Sequence, residues 1–241
     1  MRFDAVFFDA SGTLFRPCPP GSVAAGTSPL EVKEWRARRV AAMLHGLGYE
    51  ADAARLGALL PELEKSCPQK IGSRYTFIHL MLAAAKEIGL ELPEEEALLC
   101  ADAYVGPCYR SWIFPGTWEV LAAFTRAGIH VGLISNTSIP AYSLDRSWRG
   151  AGLLEYLRTR IYSCEEGLSK PDPRIFKLAE ERAGLGGQRL LFVGDDLRCD
   201  IAGAREAGWS AALNRSSAAS SGGLAQFEFN AMHELPAFVL G

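Results

Sequence analysis

The sequence lacks the features that mark membrane proteins and nucleic-acid-binding proteins. Its 241 residues contain 25 Lys and Arg against 28 Asp and Glu, so the formal net charge of −3 creates no field that favours nucleic acid or an anionic membrane. No apolar run approaches the roughly 18 residues that a membrane span needs. The first four residues lead into an apolar run without the cleavage region of a signal peptide. We therefore expect a cytoplasmic protein with neither nucleic-acid nor membrane partners.

Clustered cysteine is also absent. A zinc site or a disulfide framework has tight, repeated cysteine spacing, and this chain has no C-x-x-C pair. We expect reduced thiols that pack as small hydrophobic side chains. The six cysteines are Cys18, Cys67, Cys100, Cys108, Cys164 and Cys199. The composition, with 49% hydrophobic and 22% charged residues, is ordinary for a globular enzyme.

Short apolar runs alternate with helical patterns in most of the chain. These runs lack the polar alternation of a half-exposed strand, which is typical of strands buried on both faces of a parallel sheet. Helical spacing separates them, for example at 118–126 and 174–183. The alternation predicts an α/β fold with a Rossmann-like parallel sheet. The runs lie at 5–8, 131–134, 161–163, 190–193 and, more weakly, 211–213.

A long helical stretch interrupts this alternation. It begins after the Pro- and Gly-rich loop at 17–21, and Pro115-Gly116 marks the return to the α/β pattern. We predict an all-helical insert at 17–112 within a core made of 1–16 and 113–241. Its helices are expected at 31–47, 52–63, 75–88 and 93–104. Near the end of the chain, a Ser/Gly-rich loop at 216–223 precedes a short strand and a closing helix within 228–240.

Four polar islands follow or adjoin the apolar runs, at 7–14, 133–136, 167–173 and 193–196. Ligands of open α/β sheets bind outside the carboxyl ends of the strands, so polar groups at these exits are candidate functional residues. The residue types suit phosphate chemistry, although each island alone is compatible with an ordinary turn or helix cap. The candidates are Asp9, Ser11, Ser135, Asn136, Lys170, Asp195, Asp196 and Asp200.

The side chains in these islands have distinct chemical uses. Asp9 can act as a nucleophile towards phosphorus or an activated carbon. Ser135 and Asn136 offer a hydroxyl and a backbone N–H that can hold a phosphoryl oxygen or a carboxylate. Lys170 precedes Pro171, which restricts its backbone. Asp172 is expected to cap the next helix, so Lys170 should have a fixed position.

In order and spacing, the four islands resemble the haloacid dehalogenase superfamily, whose members are mostly Mg²⁺-dependent phosphatases that form an aspartyl intermediate. Family members with a helical cap insert it between the first two motifs, as the helical insert here would be. The resemblance implies hydrolysis of a small phosphorylated metabolite. It assigns Asp9 as nucleophile, with Ser135, Asn136 and Lys170 at the phosphoryl group. Mg²⁺ would be held by Asp9, the Ser11 carbonyl and Asp195, steadied by Asp196 or Asp200.

Ser11 departs from the phosphatase pattern, which has an aspartate at this position. The Ser11 carbonyl can still bind a metal, but its hydroxyl cannot act as a general acid near neutral pH. Losing such an acid costs ~10²–10⁴ in rate, and less when the leaving group needs no proton. The segment 8–15 is in fact similar to the dehalogenase version of the motif.

The acidic island favours the phosphatase, because dehalogenases use no metal and have non-acidic residues at the position of Asp195. Two carboxylates at neighbouring strand ends also need a cation to offset their repulsion. Two alternatives remain open: a metal-independent 2-haloacid dehalogenase-like hydrolase, and a low-activity phosphate-binding or regulatory protein. Possible substrate contacts from the insert or its hinge are Arg16, Lys70, Arg74 and His79, each of which is more often a surface or half-buried residue.

Overall fold

A computed structural model describes residues 2–16, 29–106, 110–216 and 220–241. The predicted loop at 17–21 and the cysteines Cys18 and Cys108 lie outside these ranges, as do residues 217–219 of the predicted loop at 216–223. Within the described ranges, no helix combines the length and apolar character that crossing a membrane requires. The other four cysteines are free, and Cys67, Cys100 and Cys164 are buried.

In the described part of the chain, six parallel strands form one sheet in the order β3-β2-β1-β4-β5-β6, which confirms the predicted α/β fold. The central strand β1 pairs with β2 on one side and β4 on the other. Strands β2 and β3 follow on one side of β1, and β4, β5 and β6 follow on the other side. The strand order therefore reverses between β1 and β4, and ligands of such sheets bind in the crevice at the carboxyl ends of these two strands. The strands are β1 (Ala5–Phe8), β2 (His130–Ser135), β3 (Thr159–Tyr162), β4 (Leu190–Gly194), β5 (Ser210–Asn214) and β6 (Phe227–Phe229).

Helices cover both faces of the sheet. Alternate strand residues divide between two buried clusters: Phe8 belongs to the cluster that contains Phe124 and Trp148, and Phe7 to the cluster that contains Phe176. Because both faces are buried, the strands read as continuous apolar runs. These helices are α5 (Thr117–Arg126), α6 (Ala141–Ala151), α7 (Ser163–Glu166), α8 (Pro173–Ala183), α9 (Gly203–Glu206) and α10 (Leu235–Leu240).

Between β1 and α5 the described residues form four α-helices with a hydrophobic cluster of their own. They are α1 (Pro29–Gly46), α2 (Ala53–Ile71), α3 (Phe77–Ile88) and α4 (Glu94–Val105). The prediction ended the second helix at 63, but α2 continues through Pro61 and Pro68 to Ile71. Burial of Leu56, Leu60 and Cys67 on one face of α2 accounts for this continuation, because packing outweighs local helix preference.

The two chain segments that lead into and out of these helices pair with each other. Phe15 forms an antiparallel bridge with Ile113. The Arg16 N–H donates to the Trp112 carbonyl at 2.8 Å, and the Phe114 N–H donates to the Leu14 carbonyl at 3.0 Å. This pairing joins the start and the end of the helical stretch, a few residues after the end of β1.

Gly132 provides a test of the packing around β1. It lies opposite Phe7 in the β1–β2 ladder, and a Cβ at Gly132 would lie 2.2 Å from the Phe7 ring. Because both residues are buried, we expect Gly132→Ala to lower the free energy of unfolding by about 1–3 kcal/mol. The matched control is Gly150→Ala on the exposed side of α6, where nothing lies within 4 Å of the new Cβ. That change should stabilise the protein by about 0.5–1 kcal/mol. Urea unfolding measures both, and equal effects would contradict this packing.

Candidate active site

The carboxyl ends of β1 and β4 bring three carboxylates and one ammonium together. Asp9 follows β1, Asp195 follows β4, and Asp200 lies five residues further along. Single carboxylate oxygens from Asp9, Asp195 and Asp200 all lie within 4.8 Å of one another. The fourth member is Lys170, from the segment between α7 and α8. The third and fourth polar islands therefore meet the first at the predicted edge of the sheet.

Lys170 bridges two of these carboxylates. Its Nζ donates to Oδ1 of Asp9 and to Oδ1 of Asp200, each at 2.6 Å, and the Lys170 side chain is only 2% exposed. The same ammonium lies 4.9 Å from the centre of the Phe192 ring. Burial disfavours the charged lysine, but Asp9 and Asp200 outweigh it and leave the pKa of Lys170 above its usual value. The lysine is therefore a fixed positive charge within the site.

Asn136 and the start of α8 hold the backbone of Lys170. The Asn136 side chain donates to the Lys170 carbonyl and accepts from the Lys170 N–H, both at 2.8 Å. Asp172 caps α8 and accepts from the Arg174 N–H, with Pro173 as the first helical residue, as expected. The side chain of Asn136, a predicted substrate ligand, is thus engaged with Lys170. A substrate contact from this residue would have to come from its backbone.

Asp200 links the lysine to the turn that carries Asp195. Its Oδ2 accepts the N–H groups of Asp195 and Asp196, both at 3.0 Å. Asp196 has a different position: its exposed carboxylate accepts from the N–H groups of Arg198 and Cys199 and caps the π-helical segment Leu197–Ala202. Of the two carboxylates proposed to steady a metal, Asp200 is therefore the one that lies within the cluster.

Asp195 packs against the loop that follows Asp9. The Thr13 hydroxyl donates to Oδ1 of Asp195 at 3.3 Å. A Cβ at Gly12 would lie 2.2 Å from Oδ2 of Asp195, so only glycine permits this approach. Gly12 also has φ +89°, which favours glycine in the same way. The loop therefore packs against Asp195 through the two residues that follow Ser11.

The cluster has excess negative charge. With all groups ionised, three carboxylates face one ammonium, leaving two negative charges. Burial raises the pKa of Asp9 to about 6; the Lys170 ammonium opposes this rise and Asp200 adds to it. Burial, followed by repulsion from Asp9 and Asp200, raises the pKa of Asp195 to about 6. A divalent cation would neutralise this excess, and carboxylate oxygens are the ligands that Mg²⁺ prefers. The residues present therefore fit a magnesium ion.

The two serines lie at the carboxyl ends of neighbouring strands, Ser135 at the end of β2 and Ser11 in the loop after β1. Ser135 ends β2 and is 6% exposed, and its hydroxyl has no hydrogen-bond partner among the described residues. Ser11 is exposed, and the next peptide N–H, that of Gly12, donates to the Phe15 carbonyl at 2.7 Å. Among the described residues neither serine hydroxyl has a hydrogen-bond partner, so both are available to a ligand.

Three of the four possible contacts from the insert or hinge have structural partners. Arg16 stacks on the Phe114 ring, and Arg74 donates to the Glu165 carbonyl at 2.8 Å. His79 accepts the Thr76 N–H at 3.1 Å and so completes the cap of α3. Lys70 is exposed at the end of α2. None of these contacts is directed at the acidic cluster.

Sequence reasoning missed two residues of this region, Thr13 and Asn214. Thr13 is fully buried beneath Asp195. Asn214 ends β5, and its Nδ2 donates to the Gly12 carbonyl at 3.1 Å. An asparagine directly after the apolar run at 211–213 is the same kind of signal that identified the other islands, and it could have been used here.

Fold and site together define an α/β protein whose candidate active site is an aspartate- and lysine-based centre at the switch point of a parallel sheet. The chain belongs to the haloacid dehalogenase-like hydrolases, because the sequence model of that family matches residues 3–208. This confirms the resemblance and the assignment as a hydrolase.

N-acetylmuramic acid 6-phosphate phosphatase of Pseudomonas aeruginosa is 32% identical over 220 residues, which is 89% of this chain and 83% of that protein. Ribulose-1,5-bisphosphate 5-phosphatase of Halopiger xanaduensis is 27% identical over 87% of this chain and 83% of its own length.

Solved structures share the fold over nearly the whole chain. A 2-haloacid dehalogenase from Pseudomonas syringae superposes with a TM-score of 0.68 at 21% identity, covering 99% of this chain and 98% of that one. A phosphatase of the same superfamily from Thermococcus onnurineus gives a TM-score of 0.56 at 22% identity, covering 98% and 97%. At these identities the likeness supports the fold alone.

Lys170→Met should strongly destabilise the protein, because it leaves the carboxylates of Asp9 and Asp200 buried without their shared cation. Removing one partner of a buried ion pair costs about 3–5 kcal/mol. Lys177→Met, which removes an exposed lysine paired with Glu180, should change stability by less than about 1 kcal/mol. Urea unfolding of both variants checks this, and similar losses would contradict the role of Lys170.

Asp195→Asn should stabilise the metal-free protein at neutral pH. The raised pKa of Asp195 means that its protonated form favours folding. That contribution is fully present below about pH 4, the usual aspartate range, and is lost as the pH rises through about 6. In the presence of a chelator, the variant should therefore unfold at a higher temperature than the wild type at neutral pH. The difference should vanish near pH 4.

The control is Asp52→Asn, at an exposed helix cap that asparagine also fits. Parallel pH profiles for wild type and Asp195→Asn would refute the prediction.

Proposed function

We propose that this protein is a Mg²⁺-dependent phosphatase that hydrolyses a small phosphorylated metabolite through a phosphoaspartate at Asp9. The observation that carries this proposal is the second aspartate, Asp195, within metal-binding distance of Asp9 in a cluster with two excess negative charges. The phosphatase names of the curated relatives support the same reading. A cytoplasmic location remains a prediction from the sequence.

The proposed metal ligands are the carboxylates of Asp9 and Asp195 and the carbonyl of Ser11. Asp200 would not bind the metal directly, because its oxygens accept hydrogen bonds from Lys170 and from the N–H groups of Asp195 and Asp196. It would instead position the metal ligand Asp195. When bound, Mg²⁺ would neutralise charge on the phosphoryl oxygens. This donor set of carboxylates and a carbonyl, completed by water, is typical of magnesium sites.

Asp9 is the proposed nucleophile. Lys170 holds Oδ1 of Asp9 at 2.6 Å and so orients the carboxylate. An Asp9 oxygen would form a bond to phosphorus while the bond from phosphorus to the leaving oxygen breaks; water would then hydrolyse the acyl phosphate and restore Asp9. The Lys170 ammonium and the Ser135 hydroxyl would bind the transferred phosphoryl oxygens, because one carries positive charge and the other has no partner among the described residues.

The helical insert, predicted at 17–112, would act as a cap domain over the core of 1–16 and 113–241. Hydrogen bonds join the two parts. The Phe77 N–H donates to the Ser138 carbonyl at 2.9 Å, three residues after Ser135. Arg146 of α6 pairs with Asp102 of α4 at 2.8 Å. In this position the insert would determine which leaving groups enter.

A 2-haloacid dehalogenase-like hydrolase is the second candidate. Ser11 favours the dehalogenase, because the aspartate that acts as general acid in phosphatases of the family is absent at this position. The Asp195 carboxylate argues against it, because a metal-independent centre would leave the repulsion between Asp9 and Asp195 uncompensated. A phosphate-binding protein of low activity is the third candidate and rests on Ser11 alone.

The decisive experiment compares an acyl phosphate, an alkyl phosphate and a 2-haloacid, each with Mg²⁺ and with chelator. We expect phosphate release that requires Mg²⁺ and is abolished by Asp9→Asn, because asparagine cannot displace the leaving oxygen. Asp52→Asn, far from the cluster at the start of α2, should keep wild-type activity. Turnover of the 2-haloacid in chelator would instead establish the dehalogenase. Mg²⁺ binding without any turnover would favour the phosphate-binding protein.

Ser11→Asp should raise kcat/KM on the alkyl phosphate, because it supplies an acid to the leaving group. General acids contribute about 10²–10⁴-fold, which sets the upper range of the expected gain. The acyl phosphate needs no proton and should gain much less. Ser11→Asn, similar in size but without an ionisable group, is the control. An alkyl phosphatase activity that Ser11→Asp leaves unchanged would show that Ser11 does not replace a missing acid.

A further inference from the structure

A buried asparagine outside the four islands contacts the loop that follows Asp9. Asn214 is the last residue of β5 and is 2% exposed. Its Nδ2 donates to the Gly12 carbonyl at 3.1 Å, and its Oδ1 accepts the Ser216 N–H at 3.0 Å. Because Ser216 requires the carboxamide oxygen, the amide nitrogen must face Gly12. Both polar atoms of this buried side chain therefore have a defined partner.

Gly12 is held on several sides. Its N–H donates to the Phe15 carbonyl at 2.7 Å, and its carbonyl accepts from Asn214. On a third side it packs against Asp195, where a Cβ would lie 2.2 Å from Oδ2. Its φ of +89° is a conformation that other residues rarely adopt. The two hydrogen bonds therefore fix both peptide groups of Gly12.

The orientation of Gly12 determines the direction of the Ser11 carbonyl. The Ser11 carbonyl and the Gly12 N–H belong to one planar trans peptide, so they point in opposite directions. With the Gly12 N–H on the Phe15 carbonyl, the Ser11 carbonyl points away from Phe15. The hydrogen bond from Asn214 to the Gly12 carbonyl holds the next peptide group, and so restrains the backbone on the other side of Gly12 from the Ser11 carbonyl.

We propose that Asn214 is a positioning residue that keeps the Ser11 carbonyl directed at the divalent cation held by Asp9 and Asp195. The inference rests on the proposed function, since it takes that carbonyl as a metal ligand. Asn214 contacts neither metal nor substrate and acts through Gly12. The strand that ends in Asn214, β5, lies next to β4, which leads to Asp195. The hydrogen bond from Asn214 therefore links the end of β5 to the loop after β1, past the end of β4.

Two variants separate the contacts of Asn214. Asn214→Ser retains a hydroxyl that can accept the Ser216 N–H in a similar turn, but the shorter side chain lacks the amide group that reaches the Gly12 carbonyl. Asn214→Ala removes both contacts. Asn230→Ala changes an exposed asparagine of the same sheet end and is the matched control.

The measurement is isothermal titration of each purified full-length protein with MgCl₂ in the absence of substrate, together with urea unfolding. Loss of a residue that orients a metal ligand typically weakens metal binding by about 10–100-fold. We expect both Asn214 variants to lose at least about tenfold in Mg²⁺ affinity, with the Asn230→Ala value unchanged. If Asn214→Ala fails to fold, Asn214→Ser still provides the test.

A purely structural asparagine would give a different result. Asn214→Ser would then unfold at lower urea while binding Mg²⁺ as tightly as the wild type, and this outcome would overturn the proposal. A wild-type protein that binds no Mg²⁺ would overturn the proposed metal dependence as well. The two failures are therefore distinguished by the wild-type titration.

Discussion

The ammonium of Lys170, held between the carboxylates of Asp9 and Asp200, is the interaction on which the rest of the site depends. It brings together three separate parts of the chain: the end of β1, the segment before α8 and the turn after β4. Each partner makes burial of the others tolerable, because an isolated buried charge is very costly. Asp200 extends the network by holding the backbone of Asp195 with its second oxygen. Lys170 therefore holds two of the carboxylates directly and, through Asp200, the backbone of the third.

The single positive charge of Lys170 neutralises only part of the negative charge of the three carboxylates in the cluster. The remaining excess falls on Asp9 and Asp195, whose pKa values both rise to about 6. A metal-independent nucleophile would gain nothing from this second aspartate, whereas a magnesium ion would make both carboxylates fully charged ligands at neutral pH. A magnesium site is also compatible with serine at position 11. The Ser11 carbonyl can bind the metal, although the serine side chain cannot act as a general acid.

Much of this arrangement could be predicted from the sequence, because buried parallel strands are continuous apolar runs and functional groups follow their carboxyl ends. Asp9, Lys170 and Asp195 were found in this way. Relations that depend on contacts distant in sequence could not be read from it. The Asn136 side chain binds Lys170 34 residues away, and Asp200, rather than Asp196, lies in the cluster. The length of α2 was underestimated because tertiary packing decides where a proline-containing helix ends.

The most direct test of the proposed centre is a crystal structure of the protein with Mn²⁺ in place of Mg²⁺, located by its anomalous scattering. The account predicts one ion bound to carboxylate oxygens of Asp9 and Asp195 and to the Ser11 carbonyl, with the Lys170 ammonium still between Asp9 and Asp200. An ion bound elsewhere, or no ion at this cluster at saturating Mn²⁺, would contradict it.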